Sequence, residues 1–260
     1  MTAQARYDIR PVLQDDSLCT WFHRGAGDRL VVCFSGIGRD ETGPQGYEFA
    51  RAATGGGRDH ALFIADPNRT WLNGDGLVAR IVGEIEKTVR DTGATEVVTL
   101  GHSMGGFSAA VIGAFTRVEV AVCLSPQVSV HPEIVPDETR WTNWRNRIAT
   151  HRMRGVRDYL RDQTRYYTFF GQHVREAPQR DRFPLGDNIR FFVLPRTVHN
   201  TPQRMKGRGV LDQVVRTAFE DRARLVRRIL KTSVEARQIV TPTEGMIRRA
   251  EADIAARSAA

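Results

Sequence analysis

The stretch that most constrains the fold runs from Val97 to Phe115 and holds a serine between two elements of different kinds. Residues 97–100 form an apolar run typical of a buried strand, and residues 107–115, rich in Ala, Val and Ile, predict a helix. Ser103 lies between them in the sequence Gly-His-Ser-Met-Gly-Gly, at the tip of a sharp turn. A buried strand that passes directly into an apolar helix is typical of α/β proteins.

Strands and helices alternate along most of the chain. Apolar spacing predicts a helix over residues 77–90, where the apolar positions fall on one helical face. Seven apolar runs predict strands, namely residues 19–25, 29–36, 60–67, 96–101, 118–126, 165–171 and 189–195. These runs are continuously apolar rather than alternating, which indicates a mostly parallel sheet covered by helices on both faces.

Length and composition predict one folded domain over residues 1–260. The chain of 29.2 kDa is 41% apolar and 26% charged, as expected of a globular protein with a full core. No apolar run approaches the roughly 20 residues that span a bilayer, and the N-terminal residues lack the apolar core of a secretory signal. We therefore expect a cytoplasmic protein with no membrane partner.

The net charge of +8 does not by itself indicate a nucleic-acid-binding surface. The basic residues are mostly Arg and are scattered along the chain. The densest segment, residues 216–231, has interspersed acids and helical apolar spacing, which favours a solvated helix face. No zinc-finger, RRM or KH signature accompanies the charge, so we expect no nucleic-acid partner.

The three cysteines predict neither a disulfide framework nor a metal site. Cys33 and Cys123 lie inside strand-like runs, and Cys19 precedes Trp21. No pair has the spacing of metal ligands, so the three are interpreted as small buried side chains.

The turn at Ser103 resembles the nucleophile elbow of the α/β-hydrolase superfamily. In that motif, Gly-x-Ser-x-Gly stands between a strand and a helix, and small residues at positions 101 and 105 let the two elements approach closely. A serine that merely caps a helix would explain the hydroxyl but not the glycines. The resemblance covers residues from about 10 to about 230. It implies a three-layer fold with about eight mostly parallel strands, and a triad of Ser, acid and His in that chain order.

The resemblance also implies a base after the last strand. Of the seven histidines, His199 directly follows residues 189–198, the last strand and its loop, and is the expected base. His173 is the second choice. His102 lies inside the turn, where its side chain should point away from Ser103.

The oxyanion donors implied by the resemblance are backbone amides. Members commonly carry His-Gly after the third strand, whereas this chain has Ser35-Gly36. We expect the amides of Ile37 and Met104 to stabilise negative charge, because backbone donors do not depend on the side chain at position 35.

The acid is the least determined member of the triad. Family members usually place an Asp shortly after the seventh strand, but here no Asp occurs before Asp181. Asp181 is the expected acid, because it leaves a loop free to reach His199. Glu176 and Asp137 remain open as alternatives.

Two further segments are assigned outside the central sheet. Residues 127–164 are interpreted as a cap over the site, in which Trp141 and Trp144 are candidate substrate contacts; Trp71 is another. Residues 232–260 are interpreted as a helical C-terminal tail.

The function predicted is a serine hydrolase that cleaves a carboxylic ester or thioester through an acyl-enzyme. It needs a small acyl substrate but no metal and no cofactor, and the chain could form a homo-oligomer. The alternative is a non-hydrolytic or acyltransferase member of the same fold that works as an accessory or binding factor, for instance in polysaccharide biosynthesis.

Overall fold

The centre of the molecule is one mixed sheet, seen in a computed structural model that describes residues 7–38 and 45–258. Its strands are β1 (Arg10–Gln14), β2 (Cys19–His23), β3 (Arg29–Phe34), β4 (His60–Ala65), β5 (Glu96–His102), β6 (Val120–Leu124), β7 (Arg165–Gly171), β8 (Ile189–Leu194) and β9 (Arg237–Ile239). The helices are α1 (Ala50–Thr54), α2 (Leu77–Thr92), α3 (Met104–Val111), α4 (Thr142–Arg145), α5 (Ala177–Arg180), α6 (Thr201–Gly207), α7 (Leu211–Phe219), α8 (Ala223–Val234) and α9 (Glu244–Ser258).

The strand order brings several loops to one edge of the sheet. Across the sheet the order is β1-β2-β4-β3-β5-β6-β7-β8-β9. β4, β3, β5, β6, β7 and β8 run parallel, whereas β1, β2 and β9 pair antiparallel at the margins. The carboxyl ends of β3 and β5–β8 therefore share one edge, and in parallel sheets ligands bind at that edge.

Helices cover both faces of this sheet, which makes three layers. Successive side chains of β3 alternate between two buried clusters: Leu30 and Val32 join one, and Val31 and Cys33 the other. The first cluster includes α2 and α3, and the second includes α7 and α8. The predicted three-layer α/β arrangement is confirmed.

The margins of the sheet differ from the sequence prediction. The described residues form nine strands, because β1 and β9 add one strand at each edge to the seven predicted from apolar runs. β9 lies within residues 232–260, so this segment is not purely a helical tail. β9 spans three residues, and β1 is mostly exposed. Neither strand therefore has the continuous apolar run that is typical of a buried strand.

Residues 127–164 contain little regular structure. Within them lie α4 and a 3₁₀ turn at Val156–Asp158, and the rest is irregular. Their interpretation as a cap stays a prediction.

Candidate active site

The backbone at Ser103 has a conformation that few residues adopt. Its φ is 59° and its ψ is −122°, which places the side chain on a sharp turn between β5 and α3. A β-carbon at Gly101 would lie 2.1 Å from the Gly105 carbonyl oxygen, and one at Gly105 would lie 2.2 Å from the Phe34 carbonyl oxygen. Glycine is therefore required at both positions for β5, α3 and the end of β3 to approach each other.

The Ser103 hydroxyl is hydrogen-bonded to the expected base. Its Oγ lies 2.8 Å from Nε2 of His199, in the loop that follows β8. The carbonyl oxygen of His199 is 2.9 Å from Nε2 of His102, which fixes the loop against the end of β5. The structure thus brings Ser103 and His199 together, as the sequence analysis expects.

The carboxylate on the other side of the imidazole belongs to Glu176. Its Oε2 lies 3.1 Å from Nδ1 of His199, and the side chain is 1% exposed. Burial by itself would raise the pKa of this carboxyl, but the hydrogen bond and charge of His199 and the Arg140 guanidinium outweigh it and lower the pKa. Glu176 is therefore held as a carboxylate, which is the form that can accept the Nδ1 proton.

Arg140 reaches this carboxylate from residues 127–164. Its Nη1 contacts Oε1 of Glu176, while its Nε and Nη2 lie 2.8 and 2.7 Å from the two carboxylate oxygens of Glu138. The guanidinium also stacks on the Trp141 ring at 4.3 Å from the centroid. The segment interpreted as a cap thus supplies the countercharge for Glu176.

Asp181, the acid expected from the sequence, is not beside His199. It follows α5, and its carboxylate pairs with Arg180 at 2.7 Å. The expectation assumed a free loop after β7, whereas a 3₁₀ turn at Val174–Glu176 and then α5 occupy this stretch and carry Asp181 away. Asp137, the remaining alternative, pairs with Arg182 at 2.6 Å instead.

Close contact between two loops explains why Glu176 meets the imidazole. At the end of β7, a β-carbon on Gly171 would lie 2.2 Å from the Val198 carbonyl oxygen, directly before His199. The backbone N–H of His173 donates to the Thr197 carbonyl at 3.0 Å. The His173 imidazole caps the turn that carries Glu176, since its Nδ1 accepts from the Arg175 amide at 3.2 Å.

His102 gives a pH-dependent contribution to stability. Its burial beneath the His199 loop, together with repulsion from the His199 imidazole, lowers its pKa to about 3. The unfolded chain has the ordinary histidine pKa of about 6.5. Between these values the unfolded state binds the extra proton, so stability falls as the pH falls from 6.5 towards 3.

We therefore expect the His102→Asn variant to lose part of this pH dependence. One proton corresponds to at most about 1.4 kcal/mol per pH unit. Urea unfolding at pH 5.0 and 6.5 should give a smaller difference in unfolding free energy for the variant than for the wild type. Equal differences in the two proteins would contradict the assignment.

The candidate site opens into a large cavity. Its volume is about 1080 Å³, and Ser103 and His199 lie on its wall. Trp141 lines it with the indole centroid 5.2 Å from that of the His199 imidazole, consistent with its expected place near substrate. Lys206 and the ion pair between Arg51 and Asp212 also line the cavity.

Trp144 and Trp71 lie elsewhere than expected. Trp144 is 9% exposed, and the guanidinium groups of Arg69 and Arg147 lie over its ring at 4.5 and 4.6 Å from the centroid. Trp71 is fully buried, and its indole Nε1 donates to Oε1 of Gln127 at 3.0 Å. Neither side chain is among the described residues that line the cavity.

Gln127 is a contact of the serine that the sequence analysis does not single out. Its Nε2 lies 3.0 Å from Ser103 Oγ, and the side chain is fully buried. The available signal was its position, three residues after β6 at the carboxyl edge of the sheet. Arg140 had no such signal, because it is one of many arginines in its segment.

Comparison with known proteins gives matches at the level of structure. No protein-family model matches the sequence, and no curated protein matches it. Est1E from Butyrivibrio proteoclasticus is similar with a TM-score of 0.55 and 14% identity, covering 84% of this chain and 98% of that one. A capsule O-acetyltransferase of Neisseria meningitidis serogroup A has a TM-score of 0.57 at 10% identity, covering 82% and 99%.

A third similar structure is larger than this chain. The "Glycosylation Associate Protein (Gap123) complex" from Streptococcus agalactiae has a TM-score of 0.52 and 13% identity. The match covers 86% of this chain but 46% of that one. Identities this low establish a shared fold and nothing finer.

The chain adopts the α/β-hydrolase fold. Within this fold, the two expected oxyanion donors come from different segments, the start of α3 and the loop after β3. Met104 is the first residue of α3, where helix amides lack intrahelical acceptors and the helix dipole is positive. Ile37 lies in the loop after β3 and lines the cavity, and its carbonyl accepts from Nε of Arg69 at 2.9 Å. Their use as donors stays a prediction.

The described residues show neither a metal-binding cluster nor a membrane-spanning helix. No group of three or more His, Cys, Asp or Glu side chains in this part of the chain has the arrangement of a metal site. None of its described helices combines the length and apolar character that a bilayer span requires.

Proposed function

We propose that this α/β-hydrolase is a serine hydrolase that cleaves carboxylic esters or thioesters, with Ser103 as nucleophile, His199 as base and Glu176 as the orienting acid. The observation that carries the proposal is the unbroken series of hydrogen bonds, 2.8 Å from Oγ to Nε2 and 3.1 Å from Nδ1 to the carboxylate. These distances are within the reach required for a base and its orienting group.

In this mechanism His199 takes the proton from Ser103 as Oγ bonds to the substrate carbonyl carbon. The amides of Met104 and Ile37 stabilise the oxyanion. The bond to the alcohol or thiol then breaks, and His199 returns the proton to that leaving group. A water that gives its proton to His199 attacks the acyl-enzyme, the bond from carbon to Oγ breaks, and the serine hydroxyl is restored.

The role of Glu176 is tested by comparing two conservative variants. We expect Glu176→Gln to lower turnover on the order of 10⁴-fold, because an amide beside Nδ1 favours the wrong imidazole tautomer. Asp181→Asn is the matched control, since its carboxylate pairs with Arg180, and it should change turnover less than tenfold. Turnover of p-nitrophenyl esters measures both effects. A large loss in Asp181→Asn with a small one in Glu176→Gln would assign the acid role to Asp181.

The general proposal is tested with a fluorophosphonate probe, which labels an activated serine. Wild-type protein should be labelled and the label should map to Ser103. A folded protein that takes up no label, and hydrolyses no p-nitrophenyl ester of any chain length, would contradict the proposal.

The size of the cavity favours a second candidate, an acyltransferase. At about 1080 Å³ the cavity exceeds the usual range of about 300 to 1,000 Å³ and has room for an acceptor beside the acyl group. One similar structure is a capsule O-acetyltransferase, and a mutant of that enzyme is similar in its complex with CoA. An acyl-enzyme that reacts faster with an added alcohol than with water would identify a transferase.

A non-catalytic accessory role, and association with a partner or a second copy, remain hypotheses. One similar structure is described as a complex, the "Glycosylation Associate Protein (Gap123) complex". The intact contacts among Ser103, His199 and Glu176 favour catalysis over pure binding. The same fluorophosphonate experiment separates the two roles, because a binding protein without an activated serine would stay unlabelled.

A further inference from the structure

The direction of every hydrogen bond around Ser103 can be assigned from chemistry. Glu176 is held as a carboxylate and accepts, so in the neutral imidazole, the form that acts as a base, Nδ1 of His199 carries the proton and Nε2 is an acceptor. The Ser103 hydroxyl therefore donates its single proton to Nε2.

The orientation of the Gln127 amide follows in the same way. An indole Nε1 can only donate, so the group that Trp71 contacts must be the amide oxygen. This leaves the amide nitrogen of Gln127 facing Ser103, where it donates to Oγ at 3.0 Å. Trp71 thus resolves the choice between the two amide orientations, which heavy-atom positions alone leave open.

These bonds form one chain of donors that runs in a single direction. It begins at Trp71 and passes through Gln127, Ser103 and His199 to Glu176. Gln127 and Trp71 are fully buried, so water does not compete for the bonds on this side of the serine. Aligned hydrogen bonds in a buried setting polarise one another.

We propose that Gln127 is a further catalytic residue whose amide N–H stabilises negative charge on Ser103 Oγ, and that Trp71 is the positioning residue that fixes this amide. The inference rests on the proposed role of Ser103 as nucleophile. It adds a donor to the nucleophilic oxygen itself, distinct from the oxyanion donors, which act on the substrate carbonyl.

Charge develops on Oγ at two points in the reaction. It appears when the hydroxyl proton passes to His199 as Oγ attacks, and again when the bond from the acyl carbon to Oγ breaks during deacylation. Gln127 donates to Oγ at both points, and before attack it directs the hydroxyl proton towards Nε2. Both acylation and deacylation therefore depend on it, while substrate affinity does not.

Three variants distinguish this role from packing. Gln127→Met keeps the side-chain length and removes the donor. Gln127→Glu still accepts from Trp71 but places a carboxylate oxygen beside Oγ, which opposes the developing charge. Trp71→Phe keeps an aromatic ring and removes the indole N–H. Gln238→Met, on β9 at the far edge of the sheet, is the matched control for the chemical change.

The experiment measures fluorophosphonate inactivation and single-turnover deacylation of a p-nitrophenyl ester, with circular dichroism to confirm folding. We expect Gln127→Met to lower both rate constants on the order of 10-fold to 10²-fold with unchanged KM, less than the 10² to 10³ typical of an oxyanion donor. Gln127→Glu should lose more than Gln127→Met, and Trp71→Phe less. Gln238→Met should match the wild type.

The outcomes separate this inference from the proposed function. Rate constants of folded Gln127→Met within threefold of an active wild type would overturn the inference and leave the serine hydrolase intact. A loss in Gln127→Met that exceeds the loss in Gln127→Glu would also overturn it, because packing alone predicts that order. If Gln127→Met does not fold, Trp71→Phe is measured instead. Inactivation and deacylation rate constants of Trp71→Phe equal to those of the wild type would then overturn the inference. An unlabelled wild type would overturn the proposed function and this inference together.

Discussion

Replacing Ser103 by alanine is expected to lower ester hydrolysis on the order of 10⁶-fold, to the level of residual binding and oxyanion stabilisation. The loss follows because alanine has no oxygen to bond to the substrate carbon. The fold should remain, since serine already carries a β-carbon at φ 59° and alanine occupies the same space. Turnover of p-nitrophenyl esters measures the loss of hydrolysis, and the circular dichroism spectrum shows whether the fold remains.

Ser108→Ala is the matched control for that variant. Ser108 lies in α3, just beyond the turn, and its hydroxyl donates to the Met104 carbonyl at 3.1 Å. Its removal should change turnover by less than tenfold. Undiminished turnover in a folded Ser103→Ala protein would show that the serine is not the nucleophile.

The second large effect is expected for His199→Ala. Without the base, Oγ keeps its proton, so turnover should again fall on the order of 10⁶-fold and fluorophosphonate labelling of Ser103 should disappear. The same substitution at His173, the alternative base by sequence, removes a cap of the turn that carries Glu176 but not the base, so it should cost far less, on the order of tenfold. A loss below tenfold in His199→Ala, with a large loss in His173→Ala, would reverse the two assignments.

Ser103 and His199 could be predicted because their signals are local. The glycines at 101 and 105 are needed for the close approach of neighbouring elements, so the sequence around the serine itself indicates a sharp turn. His199 lies in the loop that directly follows β8, the last buried strand of the parallel core. The carboxyl end of β8 lies at the same edge of the sheet as Ser103. In both cases one short stretch of sequence indicates where the strand ends and which side chain follows it.

The acid could not be predicted because it depends on contacts between distant segments. Glu176 and Asp181 are five residues apart, and which one faces His199 is decided by the short turn and α5 between β7 and β8. That turn is held by the contact of Gly171 with the loop after β8 and by Arg140, which lies 36 residues before Glu176 in the chain. The periodicity of apolar residues along the sequence does not indicate contacts between distant segments.

The same reasoning applies to the fold. The buried parallel strands are continuous apolar runs, so their number and order of appearance were predictable. β1 and β9 lie at the margins, where one side of a strand has no neighbour to bury it, and none of their residues is fully buried. Trp71 and Trp144 were expected at the cavity because large aromatic side chains serve equally well in cores and in binding sites.

The position of Trp141 has an optical consequence. Its indole centroid lies 5.2 Å from that of the His199 imidazole, and the Arg140 guanidinium stacks on the same ring. Indole emission depends on the polar groups and the water that surround the ring. The difference in fluorescence between the wild type and Trp141→Phe therefore reports on the wall of the cavity beside His199, so the entry of a ligand can be followed in the resting protein without turnover.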